Sequence, residues 1–355
     1  MRSAGLFDLQ VNGYGGVDFN DDAVTAEGVD RALEAMRRAG VLHCLPTLIT
    51  APEAVMRLRL RALDRAVAAS RLGPLMVPGY HLEGPCLNPE EGYHGCHPAE
   101  AMVPPDAGLV ARLGRGLARP VLLVTLAPER DGGIAATEAL AARGVAVALG
   151  HSAAGYGDVR AFARAGGTLS THLGNGLPKL LPKLDNTLLA QLAEPGLAAC
   201  LIADGIHVPP DAVRALAALK GPARVILVTD AVVAAAAPPG PYRFAGMAVV
   251  AGEDGTVRMP PAMGLAGSSL RLDAAVRNVV DWGVAPPAEA AEMAGDRPRA
   301  ALARALARHG IALDAGELLW DDGLAPRVVR DGAVRGVGPG EDPGPRGEGP
   351  RSAAL

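Results

Sequence analysis

The sequence predicts an α/β fold in which eight parallel strands alternate with helices and close into a (β/α)8 barrel. Short apolar, β-branched segments alternate with helical patterns along the chain, which is typical of a parallel sheet with right-handed crossovers. Polar residues follow these segments all along the chain. That distribution favours a barrel over the alternative, a doubly wound open sheet, whose polar strand ends gather at one switch point.

The predicted elements alternate in the order that a barrel requires, and eight strands is the number that closes it. Strands are expected near residues 6–12, 41–49, 75–83, 120–126, 145–150, 167–171, 198–203 and 224–230. Helices are expected near residues 25–39, 52–70, 106–117, 133–143, 156–165, 186–193 and 210–219, and after the last strand near 268–281, 286–294 and 297–308.

Beyond the eighth strand the alternation changes. A proline-rich segment, residues 238–241, leads into residues 242–244 and 256–258, a pattern that predicts a β-hairpin inserted in the last barrel loop. We expect three regions: the barrel over 1–312, a reduced β-sandwich remnant over 313–337, and a disordered Gly- and Pro-rich tail over 338–355.

Composition excludes several classes of function. The formal net charge of −4 provides no basic field for nucleic acid or an anionic membrane. No apolar run reaches the roughly 20 residues of a membrane helix, and no signal-peptide core is visible, so we expect a cytoplasmic protein. The four cysteines are too dispersed for a disulfide framework or a paired-cysteine zinc site.

Four ionisable side chains close four different predicted strands: Glu83, His151, His172 and Asp230. The carboxyl ends of barrel strands are where such enzymes keep their chemistry. One carboxylate and two imidazoles form a plausible catalytic zinc set, and a divalent metal promotes amide hydrolysis by lowering the pKa of water from about 15.7 towards 7. We therefore expect Glu83, His151 and His172 to bind a metal and Asp230 to act as base, then acid.

His207 follows the seventh predicted strand, where an imidazole could polarise the scissile carbonyl. Each of these residues, taken singly, has a simpler interpretation. Glu83 or Asp230 could cap a helix or form an ion pair, and a lone histidine is more often a core residue. The conjunction of four strand ends is what favours a site.

Seven further motifs follow one another along the chain: Asp8–Gly13, His81–Pro85, Gly150–Ser152, Thr171–Leu173, Asp204–His207, Val228–Ala231 and Leu265–Ser268. In this order they resemble the motifs of N-acetylglucosamine-6-phosphate deacetylases of the amidohydrolase superfamily. The resemblance implies a (β/α)8 barrel that removes the acetyl group from an N-acetylated amino sugar 6-phosphate, with one divalent metal on Glu83, His151 and His172. It implies that Asp230 is the acid/base, that His207 contacts the substrate carbonyl, and that the protein is a homodimer. Zinc is the expected metal, with iron or another divalent ion as the alternative.

The first and third strands carry two further details of the resemblance. Many amidohydrolases place a His-x-His pair on the first strand for a second metal, whereas Gln10 and Asn12 stand there in this chain. Both are poor zinc ligands, so one metal is expected rather than two. The family also has a substrate-contacting histidine after the glutamate, and this chain offers His94 and His97 as alternatives.

Recognition of phosphate is where the chain departs from the family. Asn175 and Gly176 align with the segment that meets the sugar phosphate, but the arginine that normally follows is absent and Lys183 is the candidate in its region. Lysine binds phosphate as a point charge and lacks the bidentate fork of arginine. An unphosphorylated acetylamino sugar, or another small acylated amine, is therefore the alternative substrate. A third hypothesis is a non-catalytic barrel used for binding.

Overall fold

The computed structural model describes residues 1–261 and 264–337, so the predicted disordered tail over 338–355 lies outside the described residues. Eight parallel strands form one sheet in which each strand pairs with the next in sequence. These strands, here β1 to β8, are Leu6–Val11, Val41–Ile49, Tyr80–Glu83, Val121–Leu126, Ala146–Leu149, Leu169–Ser170, Ala198–Ile202 and Val225–Val228.

The ends of β8 and β1 meet and complete the ring. The backbone N–H of Asp230 donates to the carbonyl of Gln10 at 2.9 Å, and that of Asn12 donates to the carbonyl of Ala231 at 2.7 Å. The predicted barrel is confirmed. Every residue of β1, β2 and β4 is buried, as expected for parallel strands that are covered on both faces.

Helices cover the outside of the barrel because each presents an apolar stripe to the strands. In the first helix, Val29, Leu33 and Met36 recur at helical spacing and are buried, and the Thr25 side chain caps the helix by accepting from the Gly28 N–H. Helices α1 to α11 are Ala26–Arg38, Glu53–Ala69, Gly73–Met76, Ala107–Gly114, Gly133–Ala142, Tyr156–Arg164, Thr187–Ala193, Pro210–Lys220, Leu272–Asp281, Pro287–Ala294 and Asp296–Arg308. Within the described residues, no helix combines the length and hydrophobicity that crossing a bilayer requires.

The predicted strand over 75–83 is wrong in its first half. Residues Gly73–Met76 form α3, and the strand begins only at Tyr80. Pro74 lies in the first turn of α3, where its fixed φ favours a helix. Pro78 has no N–H to donate to a neighbouring strand, so the apolar run Leu75 to Val77 cannot continue as part of the sheet.

The inserted β segment is larger than the predicted hairpin. It is a four-stranded antiparallel sheet in sequential order, with β9 to β12 at Gly240–Phe244, Met247–Ala251, Thr256–Met259 and Gly264–Ser268. Its inner face packs a separate apolar cluster around Phe244, Val249 and Val257. Small residues in β10 and β12 hide the period-2 signal on which sequence reasoning depends.

The C-terminal region forms two small antiparallel sheets. Strands Glu317–Trp320 and Pro326–Arg330 pair with each other, and Arg2–Ser3 adds a third strand beside Leu318 and Leu319. Strands Ala312–Asp314 and Ala333–Arg335 form the second sheet. The β character expected over 313–337 is therefore present, while its status as a separate domain stays a prediction.

Candidate active site

A cavity of about 130 Å³ opens at the carboxyl ends of the barrel strands. It is polar on the barrel side and apolar on the side of the inserted sheet. The polar residues that line it are Asn12, Glu83, His97, His151, His172, Asn175, His207 and Asp230, and the apolar ones include Ile49, Cys96, Val232, Phe244 and Leu265.

Glu83 is the last residue of β3 and collects three imidazoles around its carboxylate. Its Oε1 lies 2.8 Å from Nε2 of His172 and 3.2 Å from Nε2 of His151. Its Oε2 lies 3.7 Å from Nε2 of His97. Burial opposes ionisation of the carboxyl, but hydrogen bonds with His151 and His172 outweigh it and hold the pKa of Glu83 well below its usual range.

The protonation of His151 is set by its surroundings. Its Nδ1 lies 2.6 Å from the carbonyl oxygen of Tyr93, and because a carbonyl can only accept, Nδ1 carries the proton. Nε2 faces Oε1 of Glu83 at 3.2 Å, so Nε2 is the nitrogen that a cation would bind. The backbone of His151 has a φ of +51°, a conformation that a non-glycine residue adopts only when its surroundings enforce it.

Glu83, His97 and His151 offer ligand atoms that all lie within 4.8 Å of one another. A carboxylate with neutral imidazoles is a suitable donor set for a divalent metal. His97 differs from His151, because the backbone N–H of Thr50 donates to its Nδ1. The proton of neutral His97 is therefore on Nε2, which faces Glu83 as a donor. Burial, followed by the neighbouring His151, lowers the pKa of His97 to about 3, so the ring is neutral.

Asp230 follows β8 and is held by two side-chain amides, one from the end of β1 and one directly after it. Its Oδ1 accepts from Nδ2 of Asn12 at 2.7 Å and from Nε2 of Gln10 at 3.1 Å. Burial, and then the negative charge of Glu83, raise the pKa of Asp230 to about 6. The sequence identifies Gln10 and Asn12 only as poor metal ligands, whereas the structure shows them holding this carboxylate.

His207 also faces the cavity, held by Asp204. Its Nδ1 lies 2.6 Å from Oδ2 of Asp204, while Oδ1 of Asp204 accepts the backbone N–H groups of Ile206 and His207. Burial would raise the pKa of Asp204, but the hydrogen bond with His207 and the backbone donors lower it. Nδ1 therefore carries a proton, and Nε2 remains for the cavity.

The remaining predicted site residues divide into two groups. His97, Asn175 and Gly176 line the cavity, and a Cβ on Gly176 would lie 2.6 Å from Nδ1 of His151, so only glycine fits there. His94 is half-buried outside the set of lining residues, and Lys183 is exposed on the segment after Gly176. Of the two alternatives, His97 is therefore the histidine that the fold brings to the cavity.

Comparison with proteins of known function places the chain in a family. No family model matches it. An N-acetylgalactosamine-6-phosphate deacetylase from Escherichia coli O157:H7 is 37% identical over 292 residues, which cover 82% of this chain and 75% of that protein. An N-acetylglucosamine-6-phosphate deacetylase from Vibrio furnissii is 33% identical over 305 residues, which cover 84% and 73%.

The chain belongs to the N-acetylglucosamine-6-phosphate deacetylase family. It is therefore a hydrolase that acts on an amide. The solved N-acetyl-D-glucosamine-6-phosphate deacetylase from Mycobacterium smegmatis is 30% identical and superposes with a TM-score of 0.81 over 94% of this chain and 87% of that one. The enzyme from Thermotoga maritima, at 23% identity and a TM-score of 0.80, shares the fold.

The apolar side of the cavity in this deacetylase-family member was not predicted from the sequence. Phe244 ends β9 and reaches the cavity because the turn after it is fixed to the barrel. The Ala245 N–H donates to Oδ2 of Asp18 at 2.6 Å, and Nη2 of Arg59 donates to the Ala245 carbonyl at 3.0 Å. These contacts join residues that are far apart in the chain, so no local pattern identifies Phe244 as a cavity residue. The one signal in the sequence is that Phe244 is an aromatic residue in an aromatic-poor chain.

Proposed function

We propose that this protein hydrolyses the acetamide of N-acetylglucosamine 6-phosphate to glucosamine 6-phosphate and acetate. The observation that carries the proposal is the convergence of Glu83, His151 and His172 with Asp230 in one cavity. Membership of the deacetylase family supports it, as does the solved complex of a mutant relative from Mycobacterium smegmatis with N-acetyl-D-glucosamine-6-phosphate.

Glu83, His151 and His172 would hold one divalent cation, and zinc is the metal we propose, with iron as the alternative. The residues fit a cation because two imidazole nitrogens face one carboxylate oxygen at 2.8 and 3.2 Å, where a cation can replace the shared protons. His172 also has a buried Nδ1 without a partner among the described residues. When bound, the cation supplies Lewis-acid chemistry and lowers the pKa of water.

Asp230 would move the proton during hydrolysis. As the attacking water forms its bond to the acetyl carbon, Asp230 accepts a proton from it, and as the carbon–nitrogen bond breaks Asp230 returns that proton to the amine nitrogen. A pKa of about 6 lets the group act in both directions near neutral pH. Gln10 and Asn12 fix Oδ1, which leaves Oδ2 for the transfer.

His207 would stabilise the negative charge that develops on the carbonyl oxygen. Asp204 holds Nδ1 of His207 at 2.6 Å and orients the ring so that Nε2 would face the carbonyl oxygen. His97, with its proton on Nε2, would donate to the substrate or to Glu83. The apolar wall around Phe244 would exclude water from the cavity and thereby strengthen the interactions of His207 and His97 with the substrate.

The size of the cavity fits the reacting group of the substrate. A volume of about 130 Å³ is well above the roughly 10–15 Å³ that one water needs. We propose that the acetamido group enters this cavity and that the sugar ring lies at its mouth. Asn175 and Gly176 border the mouth, and Lys183 on the following segment is the residue that we propose for the phosphate.

We also propose a homodimer in which the loop over residues 177–186 contacts the second copy. Leu180 and Leu184 are 89% and 74% exposed on this loop, which begins directly after Gly176. Apolar side chains exposed in this way are typical of interaction surfaces. Measurement of the mass in solution for the wild type and for a Leu180→Ser, Leu184→Ser variant would test the proposal, and a wild-type monomer would contradict it.

Replacing Asp230 with Asn tests the proposed chemistry. The variant should keep one equivalent of metal, because Asp230 is not in the proposed ligand set, and it should lose turnover by a factor of at least about 10². Metal analysis and an acetate-release assay with N-acetylglucosamine 6-phosphate measure the two properties. Substantial residual turnover would contradict the role of Asp230.

The identity of the sugar needs a direct comparison of substrates. The 37% identity with an N-acetylgalactosamine-6-phosphate deacetylase favours the galactosamine epimer as a second candidate substrate. We expect the kcat/KM of the wild type to be highest for N-acetylglucosamine 6-phosphate when both 6-phosphates and unphosphorylated N-acetylglucosamine are compared. A preference for the unphosphorylated sugar would support the alternative that the missing arginine suggests.

A further inference from the structure

The loop between β4 and α5, residues 127–132, places no side chain in the cavity lining yet contacts the loops on both sides of it. The N–H of Ala127 donates to the Cys86 carbonyl at 2.9 Å. Nη1 of Arg130 donates to the carbonyls of Leu87 and Val103, at 2.7 Å each. The β4–α5 loop thus holds the β3–α4 loop, which continues from Glu83.

Glu129 extends these contacts to the loop that carries His151. Its Oε2 accepts from the Ser152 hydroxyl at 2.6 Å, and its Oε1 accepts from the Ala153 N–H at 2.7 Å. The same Oε1 accepts from Nδ2 of Asn88 at 3.0 Å. One carboxylate therefore joins the β3–α4 loop to the β5–α6 loop.

The geometry of the bridge depends on a carboxylate that accepts three hydrogen bonds. The three donors are a hydroxyl, a backbone N–H and a side-chain amide, and an anion that only accepts satisfies all three. A glutamine at this position would present one oxygen and one NH₂ group. With its oxygen on Ala153 and Asn88, its NH₂ would donate to the Ser152 hydroxyl, which would have to reverse its own hydrogen bond to the bridge.

The bridge surrounds a strained residue. His151 has a φ of +51°, and its carbonyl accepts the Asn88 N–H at 3.0 Å, so Asn88 contacts both His151 and Glu129. Ser152 and Ala153, the next residues after His151, are the other two partners of Glu129. A backbone in this region of φ persists only where several contacts fix it, and Glu129 holds the two residues that follow His151 and the side chain of Asn88.

We infer that Glu129 is a positioning residue that joins the loops of Glu83 and His151 and thereby sets the affinity of the site for its divalent cation. The inference rests on the proposed function, because it takes Glu83 and His151 as ligands. Partners that orient metal ligands typically contribute 10- to 100-fold in metal affinity or activity. Glu129 acts through loop backbones rather than through a ligand's ring nitrogen.

The test is the affinity of the full-length protein for Zn²⁺, measured by competition with a chelator, together with the visible absorption of the Co²⁺-substituted protein. Glu129→Gln should weaken Zn²⁺ binding by about 10- to 100-fold and change the Co²⁺ spectrum. Glu138→Gln is the matched control, since Glu138 is exposed on α5 and the chemical change is the same. At saturating metal, the KM for substrate should stay unchanged.

Ser152→Ala is a second variant that removes one donor and leaves the carboxylate in place, so it keeps the test valid if Glu129→Gln does not fold. It should weaken Zn²⁺ binding in the same direction but less. A merely structural role predicts a lower Tm with wild-type Zn²⁺ affinity and Co²⁺ spectrum in the folded protein, and that result would overturn the inference alone. A wild-type protein that binds neither cation would overturn the proposed function as well.

Discussion

The hydrogen bond between Asn12 and Asp230 provides a quantitative test of the site. Nδ2 of Asn12 donates to Oδ1 of Asp230 at 2.7 Å in a buried environment, so Asn12→Ala removes a donor that stabilises the charged carboxylate. A hydrogen bond to a charged group contributes about 1.5–3 kcal/mol. Since one pKa unit corresponds to about 1.36 kcal/mol, the pKa of Asp230 should rise by about one to two units.

The direction of the pH effect follows from the proposed role of Asp230 as a base, and the following two expectations hold for that role. Activity requires the ionised carboxylate and is lost as the pH falls through its pKa, which is about 6 in the wild type. In Asn12→Ala the same loss should occur near pH 7–8, on the order of one to two units higher. At pH 7 the ionised fraction should fall from about nine tenths to between about one half and one tenth.

The assay is the dependence of kcat/KM on pH for the wild type, Asn12→Ala and Gln10→Ala, with metal content measured in each sample. Gln10→Ala removes the longer bond, 3.1 Å, and should shift the acidic limb in the same direction by less. Acidic limbs that coincide for Asn12→Ala and the wild type, at equal metal content, would refute the reasoning that these amides control the ionisation of Asp230.

Three further substitutions test two positions in the cavity lining and one buried lysine outside it. Phe244→Ala should lower the free energy of unfolding by about 3–5 kcal/mol because the ring is 1% exposed. Urea denaturation measures this change, and a smaller loss would contradict the prediction. Gly176→Ala should reduce kcat and lower Tm, since its Cβ would lie 2.6 Å from Nδ1 of His151 and its φ is +62°; kinetics identical to the wild type would contradict this. Lys220→Met should cost about 1–3 kcal/mol of stability without changing kcat, because Nζ donates to the Gln191 and Glu194 carbonyls at 2.7 Å each; thermal unfolding and the acetate assay separate the two effects.

The sequence was sufficient to predict a helix or strand wherever the residues of that element carry the complete hydrophobic pattern by themselves. The continuous apolar runs of β1, β2 and β4 have no polar face because helices and barrel interior cover both sides. The helix at Ala26–Arg38 carries its cap and its apolar stripe within its own sequence. The strand predicted at 75–77 was wrong for the opposite reason. Its apolar residues fit a helix as well as a strand, and the prolines on either side decided between the two.

The candidate site shows the same division. Glu83, His151, His172 and Asp230 could be found from the sequence, because each follows an apolar strand and parallel strands in a barrel end at the same face. What the sequence could not provide is the set of contacts between loops: the two side-chain amides at the end of β1 on Asp230, the Asp204 carboxylate on His207, and the bridge through Glu129. These depend on distances between residues that are far apart in the chain.

The sequence by itself determined the barrel, the order of its strands and which ionisable groups stand at their ends, because hydrophobic period and strand-end chemistry are local properties. Only the tertiary structure decided which histidine after the glutamate faces the cavity, which ring nitrogens carry protons, and that Gln10 and Asn12 hold Asp230. The physical reason is that a hydrogen bond requires a partner within about 3 Å, and folding rather than sequence order brings those partners together.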